Sequence, residues 1–291
     1  MTPFGEVLTA MITPFTEDGA VDHGRAARLA RYLVENGSDG LVVTGTTGEA
    51  PTLTADEKVA LYATVVDAVG DKAVVLAGTG TYDTAESIHL STRAADVGVD
   101  GILAVTPYYN RPGQEGLYAH FTAIADATDL PVLLYNIPGR TARRIEVDTL
   151  ARLAEHPRIV AVKDAVMDID FTSETVRRVP NLAVYSGQDS YTWPMMAVGA
   201  VGVVSVISHL AGREVKRMVE AARRGEMEEA RALHLALLPL CWACFLETNP
   251  APVKAAMSAL WEPVGNPRLP LTPARPETVQ AIKDALADLS G

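Results

Sequence analysis

Two rhythms alternate along this chain. Short, nearly continuous apolar runs recur at 7–12, 41–44, 74–77, 102–105, 132–135, 159–163, 183–186 and 202–206. Runs of that length and β-branched content predict strands buried on both faces. Between them, near 24–36, 55–69, 84–97, 114–127, 146–155, 170–178, 190–198 and 210–224, apolar residues return every three or four positions. That period predicts amphipathic helices. Gly37, Gly70, Gly98, Pro157, Pro180 and Gly199 stand at the joins. Strand–helix alternation implies a parallel sheet, and eight such units in 291 residues favour a closed (β/α)8 TIM barrel over an open doubly wound sheet. No Gly-x-Gly-x-x-Gly follows the first strand, which removes the main argument for a dinucleotide fold.

Beyond residue 225 the strand pattern stops. Residues 226–245, 251–261 and 276–289 read as three further helices. The chain is therefore expected to divide into a barrel (1–224) and a C-terminal helical region (225–291), packed on the barrel or against another subunit. Hydrophobic residues make up 48% of the chain, ample for one large core, and the net charge of −11 disfavours nucleic acid or an anionic membrane as partner. The longest apolar stretch, 194–207, is too short to span a bilayer and is interrupted by Gly199 and Gly202. The N-terminal residues lack a basic region followed by an apolar one, so no signal peptide is expected and the cytoplasm is the default location. Cys241 and Cys244 have redox-motif spacing but sit in an apolar, helix-like stretch, and read as buried helix residues.

In a barrel of this kind the chemistry sits at the C-terminal ends of the strands. There the sequence places "TGTTGEAPTLT" (44–54), "TPYYNRP" (106–112), "YNIPGRT" (135–141), Lys163, "YSGQD" (185–189) and "SVISHL" (205–210). Lysine is rarely interior, so one at the tip of a buried strand needs a reason. Low dielectric destabilises its ammonium and frees the neutral amine to attack a carbonyl and form a Schiff base. The plainer alternative is a surface pair between Lys163 and Asp164, or a snorkelling lysine. Tyr135 and Tyr109 become proton carriers if a threonine links their hydroxyls; otherwise they are packing residues. The "GTTGE" turn offers N–H groups and two hydroxyls to a small carboxylate. Arg140 has the planar fork to meet a second one, its alternative being an ordinary loop salt bridge. The six histidines show no metal-ligand spacing, Ser186 lies in no Gly-x-Ser-x-Gly elbow, and there is no P-loop.

"GTTGE", "PYYNRPGQEGLYAHF", "YNIPGRT", "AVKDA", "YSG" and "ETNPAPVK", in this order from about residue 5 to 260, closely resemble the pyruvate-dependent class I aldolases, and within them the dihydrodipicolinate synthase family. The resemblance implies a (β/α)8 barrel with a C-terminal helical region. It also implies condensation of pyruvate with L-aspartate 4-semialdehyde, with neither metal nor organic cofactor. Lys163 would form the imine with pyruvate. Tyr135 would relay protons, with Thr46 linking it to a Tyr109 that reaches in from a neighbouring subunit, so the site would need a homodimer or a larger homo-oligomer. Thr47 would hold the pyruvate carboxylate and Arg140 that of the semialdehyde. Ser186, Gly187 and the backbone of Ile207 would line the site.

Some positions depart from the family pattern. Met167 stands where a glycine is common, and "SGQD" places Gln188 where Asp is commoner. Lysine-inhibited members carry histidine or asparagine at positions matching Ala55, Lys58 and Tyr82; the added cation at Lys58 predicts weak feedback by lysine. Sibling aldolases acting on N-acetylneuraminate or 2-keto-3-deoxy sugar acids would use Lys163 and Tyr135 identically, and Arg140 is the residue that favours a short substrate with its own carboxylate. A non-catalytic keto-acid sensor on the same barrel would not need Lys163 and Tyr135.

Overall fold

The computed structural model describes residues 2–290. Eight parallel strands close into a barrel in chain order: β1 (Val7–Ala10), β2 (Gly40–Val43), β3 (Val74–Gly78), β4 (Gly101–Val105), β5 (Val132–Asn136), β6 (Ile159–Asp164), β7 (Ala183–Ser186) and β8 (Gly202–Ser205), with β8 returning to pair β1. The helices around it are α1 (His23–Glu35), α2 (Ala55–Val69), α3 (Thr84–Asp96), α4 (Gln114–Asp126), α5 (Pro138–Thr141), α6 (Val147–Leu153), α7 (Ile169–Arg178), α8 (Thr192–Ala197) and α9 (Ser208–Arg224). Then come α10 (Met227–Ala243), α11 (Ala251–Leu260) and α12 (Pro276–Ser290). Among the described residues no helix is long and apolar enough to cross a membrane.

Each strand is apolar on both faces because each face has its own core. Leu8, Val42, Leu76, Leu103, Leu133, Ala161, Tyr185 and Val204 fill the barrel interior. Their neighbours in the chain, such as Leu41, Val75, Ile102, Leu134, Val162 and Val184, point outward into the layer shared with the helices. The two-residue period of a strand makes this division. Several helices start on side chains that take up their free N–H groups. Thr54 and Glu57 form a capping box on α2, and Asp168 accepts from Asp170 and Phe171 at the start of α7.

All eight expected strands are present, with shifts at their ends. The first ends at Ala10 rather than 12; beyond it, the N–H of Ile12 is taken by Nε2 of buried His209 (3.1 Å). The expected helix at 190–198 is split into a tight turn at Asp189–Tyr191 and the short α8. Two short elements were not expected: a 3-10 turn at Ala50–Thr52, and the single-turn α5, opened by Pro138, which carries Arg140 over the barrel mouth. Proline suits that first helical position because its missing N–H would have no partner there.

The helices beyond 225 pack on the barrel. Leu237, Leu240 and Cys241 of α10, Ala256 of α11, and Ile282 and Ala285 of α12 share a core with Val7, Val203 and Val215. Cys241 and Cys244 are buried there as free thiols whose pKa values burial raises. Met167 takes a left-handed backbone (φ 64°), the conformation that glycine adopts freely.

Candidate active site

Lys163 is the penultimate residue of β6, and strand alternation turns it inward while Asp164 turns out. Asp164 is held on the outer side by the Thr172 hydroxyl (2.7 Å) and the N–H of Val166 (2.9 Å), so the two residues do not form a pair. Lys163 is 6% exposed, and burial pulls its pKa down to about 7, Arg140 adding to the fall and buried Asp189 opposing it. A substantial fraction of neutral amine therefore exists near neutral pH. Its Nζ lies 4.1 Å from the ring centroid of Tyr135, which β5 places opposite it in the ladder.

Tyr135 is buried, and burial raises its pKa to about 12, against the opposing effects of Arg140 and of a hydrogen bond with Thr46. The phenol is thus held protonated, ready to donate and to recover a proton through that hydroxyl partner. Tyr135, Thr46 and Arg140 line a cavity of about 210 Å³, with Thr44, Val105 and Tyr108 among its other walls; Lys163 and Thr47 are not among them. The cavity is smaller than the roughly 300–1,000 Å³ of sites for drug-sized ligands, and so suits a small substrate.

Arg140 makes no ion pair among the described residues; its Nη2 donates to the backbone carbonyl of Asn249 at 3.3 Å. The loop-salt-bridge alternative does not apply, and the guanidinium keeps donors for an incoming anion. Thr47 is buried and its hydroxyl accepts from Nδ2 of Asn249 (2.9 Å). The turn carrying Thr46 and Thr47 is bent by left-handed backbone at both ends, at Thr44 (φ 54°) and Glu49 (φ 58°). It is then clamped from outside. Glu49 pairs with Lys254 of α11 at 2.7 Å, both side chains 1% exposed, and Lys254 also donates to the carbonyl of Thr13 (3.0 Å).

The other expected residues fall in three places. Gly187 packs on the lysine itself: a Cβ there would lie 3.1 Å from Cγ of Lys163 and 2.8 Å from Cβ of Ala165. Ser186 and Ile207 are buried at the same end of the barrel but are engaged locally. The Ser186 hydroxyl donates to the carbonyl of Gln188 (2.8 Å), while the N–H of Ile207 donates to Asp189 (3.3 Å) and its carbonyl accepts from Leu210 (2.9 Å). Tyr109 is not brought into the site of its own chain; it is 92% exposed on a left-handed backbone (φ 66°), and Tyr108 lines the cavity instead. Tyr185 of "YSGQD" turns away down the barrel, its hydroxyl reaching the carbonyl of Gly5 (2.8 Å) at the opposite end.

Three features escaped the sequence reading. Asp189 is buried and accepts from the Ser205 hydroxyl (2.5 Å) and the Val206 N–H (2.9 Å), tying the ends of β7 and β8 together beside Lys163. Asn249 links Thr47 to Arg140. Glu49 and Lys254 form a buried pair from two segments 205 residues apart. All four residues lay inside the stretches "GTTGE", "SGQD" and "ETNPAPVK", but only their spatial partners reveal what they do.

Residues 3–289 match the model of the dihydrodipicolinate synthetase family. A 4-hydroxy-tetrahydrodipicolinate synthase of Moorella thermoacetica is 54% identical over 286 residues, which is 98% of each chain. One of Thermosynechococcus vestitus is 53% identical over 292 residues, covering 99% of this chain and 98% of that one. Among solved structures, dihydrodipicolinate synthase DapA-2 of Bacillus anthracis superimposes with a TM-score of 0.95 at 46% identity, 99% of each chain being covered. The lysine-bound enzyme of Cyanidioschyzon merolae gives a TM-score of 0.97 at 44% identity, covering 100% of this chain and 99% of that one. This chain, with its buried lysine on β6 and its arginine over the barrel mouth, belongs to the dihydrodipicolinate synthetase family.

Proposed function

We propose that the chain condenses pyruvate with L-aspartate 4-semialdehyde to give 4-hydroxy-tetrahydrodipicolinate, through an imine on Lys163, as a lyase of lysine and diaminopimelate biosynthesis. The observation that carries the reading is the burial of Lys163 against the Tyr135 ring, with its pKa lowered to about 7. The neutral amine attacks the keto carbon of pyruvate and water leaves as the imine forms. The protonated imine nitrogen draws electrons from the methyl group, a proton departs by way of Tyr135 and Thr46, and the resulting enamine attacks the aldehyde carbon. The substrate's own amine then adds to the imine carbon, expels the Lys163 amine and closes the ring. Thr47 holds the pyruvate carboxylate and Arg140 the carboxylate of the semialdehyde, while Ser186, Gly187 and Ile207 form the wall behind the imine.

Tyr109 completes the proton path from a second copy of the chain, which makes a homodimer or larger homo-oligomer the working form; its exposure in its own subunit supports this. In this reading residues 1–224 form the catalytic barrel and 225–291 a helical region that brings Asn249 and Lys254 to its mouth. Two free cysteines fit work in the cytoplasm, where thiols stay reduced.

The test follows pyruvate consumption on addition of L-aspartate 4-semialdehyde, with N-acetylneuraminate and a 2-keto-3-deoxy sugar acid offered in parallel in the cleavage direction. Turnover is expected with the semialdehyde alone. Arg140→Ala should lower kcat/KM for it by about 10- to 100-fold, the worth of hydrogen bonds to a charged group. Cleavage of a sugar acid only would transfer the reading to a sibling aldolase.

Feedback by lysine is expected to be weak. Lys58 on α2 is buried, and a cation there would repel the ammonium groups of an incoming lysine. A lysine titration should leave most of the activity at millimolar concentration. Strong inhibition at sub-millimolar lysine would contradict this.

A further inference from the structure

Asn249 sits between α10 and α11, outside the barrel strands, and is 6% exposed. Its side-chain Nδ2 donates to the Thr47 hydroxyl at 2.9 Å, and its main-chain carbonyl accepts from Nη2 of Arg140 at 3.3 Å. One residue thus touches both groups assigned above to the substrates' carboxylates. Its Oδ1 is buried with no hydrogen-bond partner among the described residues. Most buried polar atoms have a partner; this one is an exception, beside the two groups assigned to the substrates' carboxylates.

A hydroxyl has one proton to give and two lone pairs to receive with. Because the amide N–H of Asn249 already occupies an acceptor position on Thr47, the hydroxyl proton is left to point elsewhere, toward a carboxylate held at the turn. We infer that Asn249 is a positioning residue that sets the Thr47 hydroxyl as a donor to the pyruvate carboxylate, while its carbonyl keeps Arg140 at the wall of the cavity. The inference rests on the assignment of Thr47 as the pyruvate carboxylate's partner. It adds a residue of the C-terminal helical region to the specificity of the site.

The experiment measures KM for each substrate, kcat, and the pyruvate dependence of borohydride trapping in the wild type, Asn249→Ala, Asn249→Asp, Thr47→Val and the double variant Asn249→Ala/Thr47→Val. Asn249→Ala is expected to raise KM for pyruvate by about 10-fold, with a smaller change in kcat, the range of one hydrogen bond to a charged group. Asn249→Asp should raise it further, since a carboxylate takes the hydroxyl proton for itself and adds a charge beside the substrate's. In the Thr47→Val background Asn249→Ala should have no further effect on KM for pyruvate. An equal effect with and without the Thr47 hydroxyl would overturn the inference, as would an unchanged KM in both Asn249 variants. Asn249→Ser serves as a second small substitution; failure of both it and Asn249→Ala to fold would mark the residue as structural and overturn the inference too. If the wild type itself traps no pyruvate, the failure lies with the assignment of Lys163 rather than with Asn249.

Discussion

Lys163→Ala is expected to abolish turnover, by about 10⁴-fold or more, the range seen when a covalent nucleophile is removed. Borohydride reduction in the presence of pyruvate should add no mass to that variant, whereas it should label the native chain once. The pH dependence follows from the same burial. With a pKa of about 7 in the folded protein, the amine is mostly protonated below neutrality and mostly free above it. Imine formation should therefore rise through pH 6–8 and then level. A rate that continues to climb to pH 10 would mean that the reacting lysine has the ordinary value for this side chain.

The same shift makes Lys163 a burden on stability. The unfolded chain binds this proton up to about pH 10.5, whereas the folded chain releases it near 7. Stability gained from deprotonation therefore rises between those values, and below pH 7 the full cost of burying the ammonium is felt. Lys163→Met should accordingly raise stability at pH 7, by on the order of 4 kcal/mol at most, while abolishing activity. Equal or lower stability in denaturant titrations would show that the ammonium is better solvated than its 6% exposure implies.

Lys254→Met is expected to lower stability by about 3 kcal/mol, because it removes the cation from the buried Glu49 carboxylate and leaves it, among the described residues, only the N–H of Arg268 at 2.8 Å. In a chain of this size that corresponds to a fall in Tm of roughly 10 °C. Catalysis should suffer as well, since Glu49 ends the turn that carries Thr46 and Thr47. Pairing Lys254→Met with Glu49→Leu should recover most of the loss, because two apolar side chains remove the unpaired charge and not only the bond. If the single variant melts with the native protein, the pair is not the clamp its burial suggests. A double variant no more stable than the single one would mean that the loss came from the lysine's packing on Phe15, whose ring centroid is 4.1 Å from Nζ.

The strands and most helices were legible in the sequence because their signals are local. A run such as "VLLY" (132–135) is apolar throughout because both its faces are covered, and the period of 55–69 returns its apolar residues to one side of α2. Lys163 stood out for a related reason: a charge at the tip of such a run contradicts its surroundings. The one-turn α5 was not legible, since four residues carry too little periodicity to announce a helix.

The roles of polar residues in the loops depended on partners far away in the chain. Glu49 looked like part of an anion-binding turn and is spent on Lys254; Tyr185 looked like a rim residue and reaches Gly5 at the other end of the barrel. By itself the sequence determined the barrel, the approximate span of its strands and the lysine at the tip of the sixth, because hydrophobic periodicity and the misfit of one charge are properties of neighbouring residues. Only the tertiary structure decided which way each polar side chain faces and what it bonds, because hydrogen bonds and ion pairs such as Asn249–Thr47 and Glu49–Lys254 join groups about 200 positions apart, whose meeting no local pattern encodes.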